Sequence, residues 1–128
     1  MEHIDLTQAE WQLMERLWDH APQTGRELTD GMQARTGWNR STTLTILRRL
    51  VEKGAVRCDA QGRKNVFFPA IRREDAAAQQ TRDLLGRVYN GSLSLLISEM
   101  TKHEALSQKE IDDMYALLRE MEEHKRHD

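Results

Sequence analysis

The chain has 128 residues, of which 38% are hydrophobic and 31% are charged, and its net charge is −2. This length suits one domain, or a small domain with an appendage. No apolar run is long enough to span a membrane, the first residues do not have the pattern of a secretory signal, and the single cysteine, Cys58, excludes a disulfide framework and a cysteine-rich metal site. We therefore expect a cytoplasmic protein with no membrane insertion, no metal and no cofactor.

The first part of the chain predicts two helices, each opened by a capping box. Thr7 and Glu10 have the spacing at which a hydroxyl and a carboxylate cap a helix reciprocally, and apolar residues follow at helical spacing. Thr24 and Glu27 repeat this pattern and open a second helix, which we expect to end around Gly37.

The stretch NRSTTLTILRRLVEKGAV (39–56) predicts a third helix. Asn39 or Ser41 can cap its start, and Gly54 lies where a left-handed residue would end it. One side of this helix is apolar, and the opposite side presents Thr42, Thr45, Arg48, Arg49 and Glu52.

After the third helix the pattern becomes that of short strands. Residues 55–59 and 65–70 are β-prone runs separated by AQGRK, so they predict a β-hairpin whose tip carries Arg63 and Lys64. Three helices followed by a two-stranded hairpin are the order of a winged helix-turn-helix. We therefore expect a mainly α fold with a small β-hairpin, in which residues 1–73 form the DNA-binding domain.

Residues 74–128 are predicted to form a helical dimerisation region. Asn90-Gly91 predicts a break, Ser107 with Glu110 predicts a further capping box, and the last residues (122–128) are expected to fray. The apolar groups of this segment are too many for so short a helical region to bury alone, so we expect a second chain to cover them. The alternative is that these helices fold back on the N-terminal core. The predicted dimerisation residues are Leu93, Leu96, Ile97, Met100, Ile111, Met114, Leu117, Leu118 and Met121.

The charge is distributed unevenly, which bears on the partner. Residues 35–73 hold ten basic and two acidic side chains, whereas the segments on either side are each acidic by five charges. Such asymmetry predicts a site for a polyanion. Alternatives are a solvated basic face, or an interaction module that binds an acidic protein. No nucleophile with its base, phosphate loop or pair of catalytic carboxylates is recognisable, so we do not expect an enzyme.

In a winged helix-turn-helix the third helix enters the major groove. A threonine there can exchange a hydrogen bond with a base edge or pack its methyl group on thymine, while arginine can bind a base or a phosphate. The predicted DNA-contacting residues are Arg40, Ser41, Thr42, Thr43, Thr45, Arg48, Arg49, Lys53, Arg63 and Lys64.

Three segments carry a resemblance to a known family: TQAEWQLMERLW (7–18), STTLTILRRLVEKGAV (41–56), and YNGSLSLLISEM (89–100) with LSQKEID (106–112). Together they resemble the penicillinase repressor (BlaI/MecI/CopY) family of bacterial transcription regulators, from about Asp5 to about Glu122. The resemblance implies a homodimeric repressor on a palindromic operator that controls β-lactam resistance or related stress genes.

The resemblance also implies how repression ends. In members of the family a membrane-bound sensor leads to cleavage at an Asn-Phe bond, and the aligned candidate cleavage position here is Glu99-Met100. Ser41 and Leu44 stand where some members have basic residues, so the operator sequence is expected to differ.

Overall fold

The computed structural model describes residues 3–103 and 105–127. Two compact units are present: the first ends at Asp83 and the second begins at Leu84. The mainly helical fold with a small sheet is confirmed. In chain order the elements are α1 (Gln8–Asp19), β1 (Gln23–Thr24), α2 (Gly25–Thr36), α3 (Arg40–Lys53), β2 (Val56–Gln61), β3 (Lys64–Pro69), α4 (Arg73–Tyr89), α5 (Leu93–His103) and α6 (Gln108–Arg126).

The capping boxes predicted for the first two helices are present. The Thr7 hydroxyl accepts from the Glu10 N–H at 3.1 Å, and the Glu10 carboxylate accepts from the Thr7 N–H at 2.8 Å. Thr24 and Glu27 make the equivalent pair of hydrogen bonds at the start of α2. These caps satisfy backbone N–H groups that a helix leaves without intrahelical partners, so the two helices begin where the sequence predicts.

The third helix is capped by Asn39, which settles the choice between Asn39 and Ser41. The Asn39 Oδ1 atom accepts from the Thr42 N–H at 2.8 Å. At the other end Gly54 has a φ of 82°, a left-handed conformation that costs a residue with a Cβ atom more than it costs glycine. Both ends of α3 are therefore fixed by local sequence.

The β-hairpin is present, and the sheet has a third strand that the sequence does not reveal. Strands β2 and β3 pair antiparallel, and β3 also pairs with β1, where Gln23 faces Phe67. The predicted tip is corrected: Gly62 and Arg63 form the turn, while Lys64 is the first residue of β3. Strand β1 has only two residues, too few for any periodicity.

The core of the first unit lies between the three N-terminal helices and the sheet. Ala76 of α4 is also buried against it, and the Gln80 side chain donates to the Leu6 carbonyl at 3.2 Å. The beginning of α4 is thus part of this unit, while the domain boundary after residue 73 stays a prediction. The buried apolar residues are Leu6, Leu13, Met14, Leu17, Leu28, Met32, Ile46, Leu47, Leu50, Ala55, Val56, Val66 and Ala76.

The second unit contains the end of α4, then α5 and α6. Asn90 and Gly91 both have positive φ, 51° and 80°, and form the predicted break before α5. Ser107 caps α6 by accepting from the Glu110 N–H at 3.1 Å. The expectation that residues 122–128 fray is wrong as far as Arg126, because α6 continues to that residue. None of the described helices is both long and apolar enough to cross a membrane.

Candidate nucleic-acid interface

The outward side of α3 combines hydroxyl groups with guanidinium groups. Thr42, Arg48 and Arg49 are exposed, and Thr45 is half-buried between them and the core. Within the described part of the chain, neither the Thr42 nor the Thr45 hydroxyl has a hydrogen-bond partner. These hydroxyls are therefore available to a ligand outside the protein.

The arginines on this side are not used in ion pairs. Among the described residues, no carboxylate oxygen lies within 4.0 Å of a side-chain nitrogen of Arg40, Arg48 or Arg49. Other arginines of the same unit are paired, for example Arg72, which lies 2.8 Å from Glu74. A cluster of unpaired cations in a chain of net negative charge favours an anionic ligand. Neither Arg48 nor Arg49 pairs with an acidic residue, which sequence reasoning left open.

The list of predicted contacts needs one correction at Thr43. Its side chain is fully buried, and its hydroxyl donates to the Asn39 carbonyl at 3.4 Å. A side chain without exposed surface cannot reach a base, so Thr43 belongs to the core. Its spacing from Leu47 and Leu50, one and two helical turns on, was a signal for this position that the prediction overlooked.

A second correction concerns Lys53. Its ammonium group donates to the Glu10 Oε1 atom at 2.6 Å and to the Asp5 carbonyl at 2.7 Å. These two internal acceptors hold it at the end of α3, so we leave Lys53 out of the interface.

The acceptor Glu10 is almost fully buried, at 1% exposed. Burial alone would raise the pKa of Glu10, but the hydrogen bonds from Lys53 and Thr7 outweigh it and lower the pKa below its usual value. The carboxylate is therefore charged in the folded protein and forms an ion pair between α1 and α3. The sequence indicates the capping role of Glu10 but not this contact, because Lys53 lies far along the chain.

The hairpin carries two further basic residues of the predicted interface. Arg63 is exposed in the turn and has no partner among the described residues. Lys64, by contrast, interacts electrostatically with Glu27. Hydrogen bonds from Thr24 are the main reason that the pKa of Glu27 is lowered, and Lys64 contributes to this shift. Arg57, on β2, is occupied by a 3.3 Å ion pair and a cation–π contact within the hairpin. Arg63 is thus the freest cation of the wing.

The remaining predicted residues lie on α5 and α6. No residue of either helix is buried. An apolar groove of about 360 Å³ is lined in part by Ile97, Ile111 and Met114. The candidate cleavage position lies within α5, where Glu99 pairs with His103 at 3.0 Å and Met100 is exposed.

The fold and the exposed basic helix define the class of the protein. Three helices followed by a hairpin, with α3 presenting unpaired arginines, form a winged helix-turn-helix.

Comparison with known proteins gives the family. The profile of the penicillinase repressor family matches residues 6–120, so the chain belongs to this family. The penicillinase repressor of Bacillus licheniformis is 31% identical over 120 residues, which are 94% of this chain and 91% of that protein.

Two solved structures agree with the winged-helix part. The solution structure of the DNA-binding domain of the repressor BlaI is 30% identical, with a TM-score of 0.53, and the match covers 59% of this chain and 93% of that one. The Bacillus licheniformis BlaI monomer, in complex with the blaP half-operator, matches with the same identity, coverage and TM-score.

Proposed function

We propose that this protein is a cytoplasmic transcriptional repressor that binds a palindromic operator as a homodimer. Helix α3 enters the major groove of each half-site, the β2–β3 hairpin contacts the flanking backbone, and residues 84–127 pair with a second copy. Membership of the penicillinase repressor family supports this function. The relative whose solved complex contains a half-operator supports DNA as the ligand.

The observation that carries the proposal is the exposed side of α3. Thr42, Thr45 and Arg49 follow one another by about one helical turn each, so they face the same way. The threonines offer hydroxyl and methyl groups to base edges, and Arg49 can bind the two acceptors of a guanine. Arg40 and Arg48 flank this row and suit phosphate contacts, which position a protein without reading sequence.

The proposed dimer depends on the exposed apolar groups of the second unit. Leu93, Leu117 and Met121 are 54%, 59% and 58% exposed, and they belong to helices that bury no side chain. A surface of this kind is costly in water and is usually covered by a partner. A second copy would cover it with two-fold symmetry, which matches the symmetry of a palindromic operator.

The first test is a selection of bound duplexes from a random-sequence pool, at near-physiological salt, with the full-length chain. We expect a palindrome whose half-sites lie about one helical turn apart. The same sequences would identify the regulated genes, which we propose to be β-lactam resistance or related stress genes. A pool that shows no enrichment, with binding that disappears as salt rises, would contradict the proposal and favour the module that binds an acidic protein.

The Arg49→Ala variant tests the base contact on the selected operator. We expect it to weaken operator binding by about 1–3 kcal/mol and random duplex by less, because a base contact is lost only on the specific site. Arg48→Ala should weaken both duplexes similarly and reduce the salt dependence by about one unit of slope. Arg72→Ala is the matched control, since that arginine is already paired with Glu74. If Arg49→Ala weakens binding to both duplexes equally, Arg49 contacts a phosphate and not a base.

The Leu118→Glu variant tests the dimer. Leu118 is 53% exposed on α6 and lines the apolar groove, so a charge there should not disturb either unit alone but should oppose burial by a second copy. Sedimentation at micromolar concentration should show a dimer for the wild type and a 14.9 kDa species for the variant. The control Glu120→Gln changes an exposed polar residue of the same helix. A wild-type protein that sediments as a monomer would contradict the dimer.

Release from the operator is proposed to involve a membrane-bound sensor that leads to cleavage or loosening of the dimer. Cleavage at Glu99-Met100 would require local unfolding, because both residues lie within α5 and proteases act on opened backbone. The test is a variant that is not cleaved at Glu99-Met100. If this variant still allows induction in cells, loosening of the dimer, and not cleavage at this position, ends repression.

A further inference from the structure

Three potential metal ligands lie together in the first unit, away from α3. His3, Asp5 and Asp83 each offer one ligand atom, and these three atoms lie within 4.8 Å of one another. The His3 Nε2 atom is 3.5 Å from the Asp83 Oδ2 atom. His3 and Asp5 precede α1, whereas Asp83 lies on α4. Because these residues are far apart in the chain, no sequence motif indicates the cluster.

Hydrogen bonds from neighbouring residues hold the backbone at Asp5 and the Asp83 side chain in place. The Lys53 ammonium donates to the Asp5 carbonyl at 2.7 Å, and the Gln80 amide donates to the Leu6 carbonyl at 3.2 Å, so the segment before α1 is fixed on both sides. The Gln79 amide donates to the Asp83 Oδ1 atom at 3.0 Å and leaves Oδ2 directed towards His3. Supporting hydrogen bonds of this kind orient metal-binding carboxylates.

The charges of the cluster are not balanced. Among the described residues, no lysine or arginine pairs with the carboxylate of Asp5 or of Asp83, and one imidazole stands beside both. Glu10, elsewhere in the same unit, shows the opposite arrangement, since Lys53 neutralises it. Two carboxylates this close repel each other, and a divalent cation between them would relieve the repulsion.

We propose that His3, Asp5 and Asp83 bind one divalent transition-metal ion per chain. An imidazole nitrogen with two carboxylate oxygens suits ions such as Zn²⁺, whereas Mg²⁺ and Ca²⁺ prefer oxygen ligands alone. Zinc bonds of about 2.0–2.2 Å require ligand atoms closer together than in this structure, by about an ångström. The His3 and Asp83 side chains are 52% and 34% exposed, so they can rotate by this amount without disturbing the core.

The ion would join the segment before α1 to α4. The Asp5 carbonyl also accepts from Lys53 at the end of α3, so the ion would stabilise the segment that makes this contact. Because a ligand that binds only the folded state stabilises it, zinc should raise the thermal stability of the protein.

The test uses the full-length chain without an affinity tag, and Zn²⁺ alone as the probe. Competition with a chromophoric chelator should show one tightly bound ion per chain. His3→Ala and Asp83→Asn should each weaken binding by about tenfold or more, since each removes a ligand. Both changes are on exposed or half-exposed side chains, so the variants should fold, and circular dichroism verifies this. His20→Ala, which removes another exposed histidine of the same unit, should change neither stoichiometry nor affinity.

The Zn²⁺-dependent rise in unfolding temperature provides a second readout. It should be present in the wild type and in His20→Ala, and reduced in both ligand variants. Zinc binding that is unchanged in His3→Ala and Asp83→Asn would overturn the site. So would a loss of binding only when His124 and His127 of the C-terminal segment are replaced, or a wild type that binds no zinc at micromolar concentration.

Discussion

The ion pair between Glu10 and Lys53 should be a main contributor to the stability of the winged-helix unit. Glu10 is 1% exposed and Lys53 35% exposed, and their 2.6 Å contact joins the start of α1 to the end of α3. We consider Glu10→Gln, which keeps the shape of the side chain and removes its charge. The amide oxygen can still accept from Thr7, but the bond from Lys53 is no longer between two charges.

The magnitude follows from these contacts. The Thr7 N–H donates to a charged acceptor in the wild type and to a neutral one in the variant. A hydrogen bond to a charged group contributes about 1.5–3 kcal/mol and a neutral one about 0.5–1.5, so roughly 1 kcal/mol is lost there, and the bond from Lys53 is weakened as well. Glu10 Oε2 has no partner, so the new amide group is buried there without an acceptor, which costs about 1 kcal/mol more. Partial exposure of Lys53 limits the loss, because water can solvate the ammonium group. We therefore expect Glu10→Gln to lower the free energy of unfolding by about 2 kcal/mol.

A double-mutant cycle with Lys53→Met isolates the pair. Urea denaturation at one protein concentration should give a coupling energy of about 1–2 kcal/mol for Glu10 with Lys53. The same cycle on Arg72 with Glu74 is the control, because that pair is 2.8 Å apart but both side chains are more than 70% exposed. Its coupling should be below about 0.5 kcal/mol. Additive effects of the Glu10 and Lys53 changes would refute the reasoning.

The same pair gives a pH dependence. The pKa of Glu10 in the folded protein lies below its ordinary value of 4.5, so folding favours the charged form. Its contribution is complete above that ordinary value and is lost as the pH falls through the lower, folded-state pKa. On acidification below pH 4.5 the wild type should therefore lose more stability than Glu10→Gln. Parallel losses in the two proteins would contradict the assignment of the charge to Glu10.

Two further changes test the ends and interior of the helices by urea denaturation. Gly54→Ala places a Cβ atom at a φ of 82° and should lower the free energy of unfolding by about 1–2 kcal/mol. Gly86 lies within α4, and no atom lies within 4 Å of the Cβ that alanine would add. Gly86→Ala should therefore raise the free energy of unfolding by about 0.5–1 kcal/mol. Equal effects at the two glycines would refute the argument from backbone conformation. Asn39→Ala should cost about 1 kcal/mol through loss of the cap, and Asn39→Ser should recover most of it; no difference between these two variants would exclude capping as the cause.

The local features of the fold could be predicted because they depend on neighbouring residues. The capping boxes at Thr7 and Thr24, the cap at Gly54 and the hairpin each involve groups a few residues apart, whose geometry is set by the backbone. Strand β1 could not be predicted, because its two residues gain strand geometry only by pairing with β3.

For the interface, the sequence by itself determined which helix carries the threonines and arginines, because their spacing and the charge of residues 35–73 are visible in the chain. Only the tertiary structure decided which of them are available. The rotation of α3 against the core buries Thr43 and exposes Thr42, and the approach of α1 turns Lys53 into the partner of Glu10. Burial and ion pairing depend on residues far apart in the chain, so their energies arise only when the helices pack.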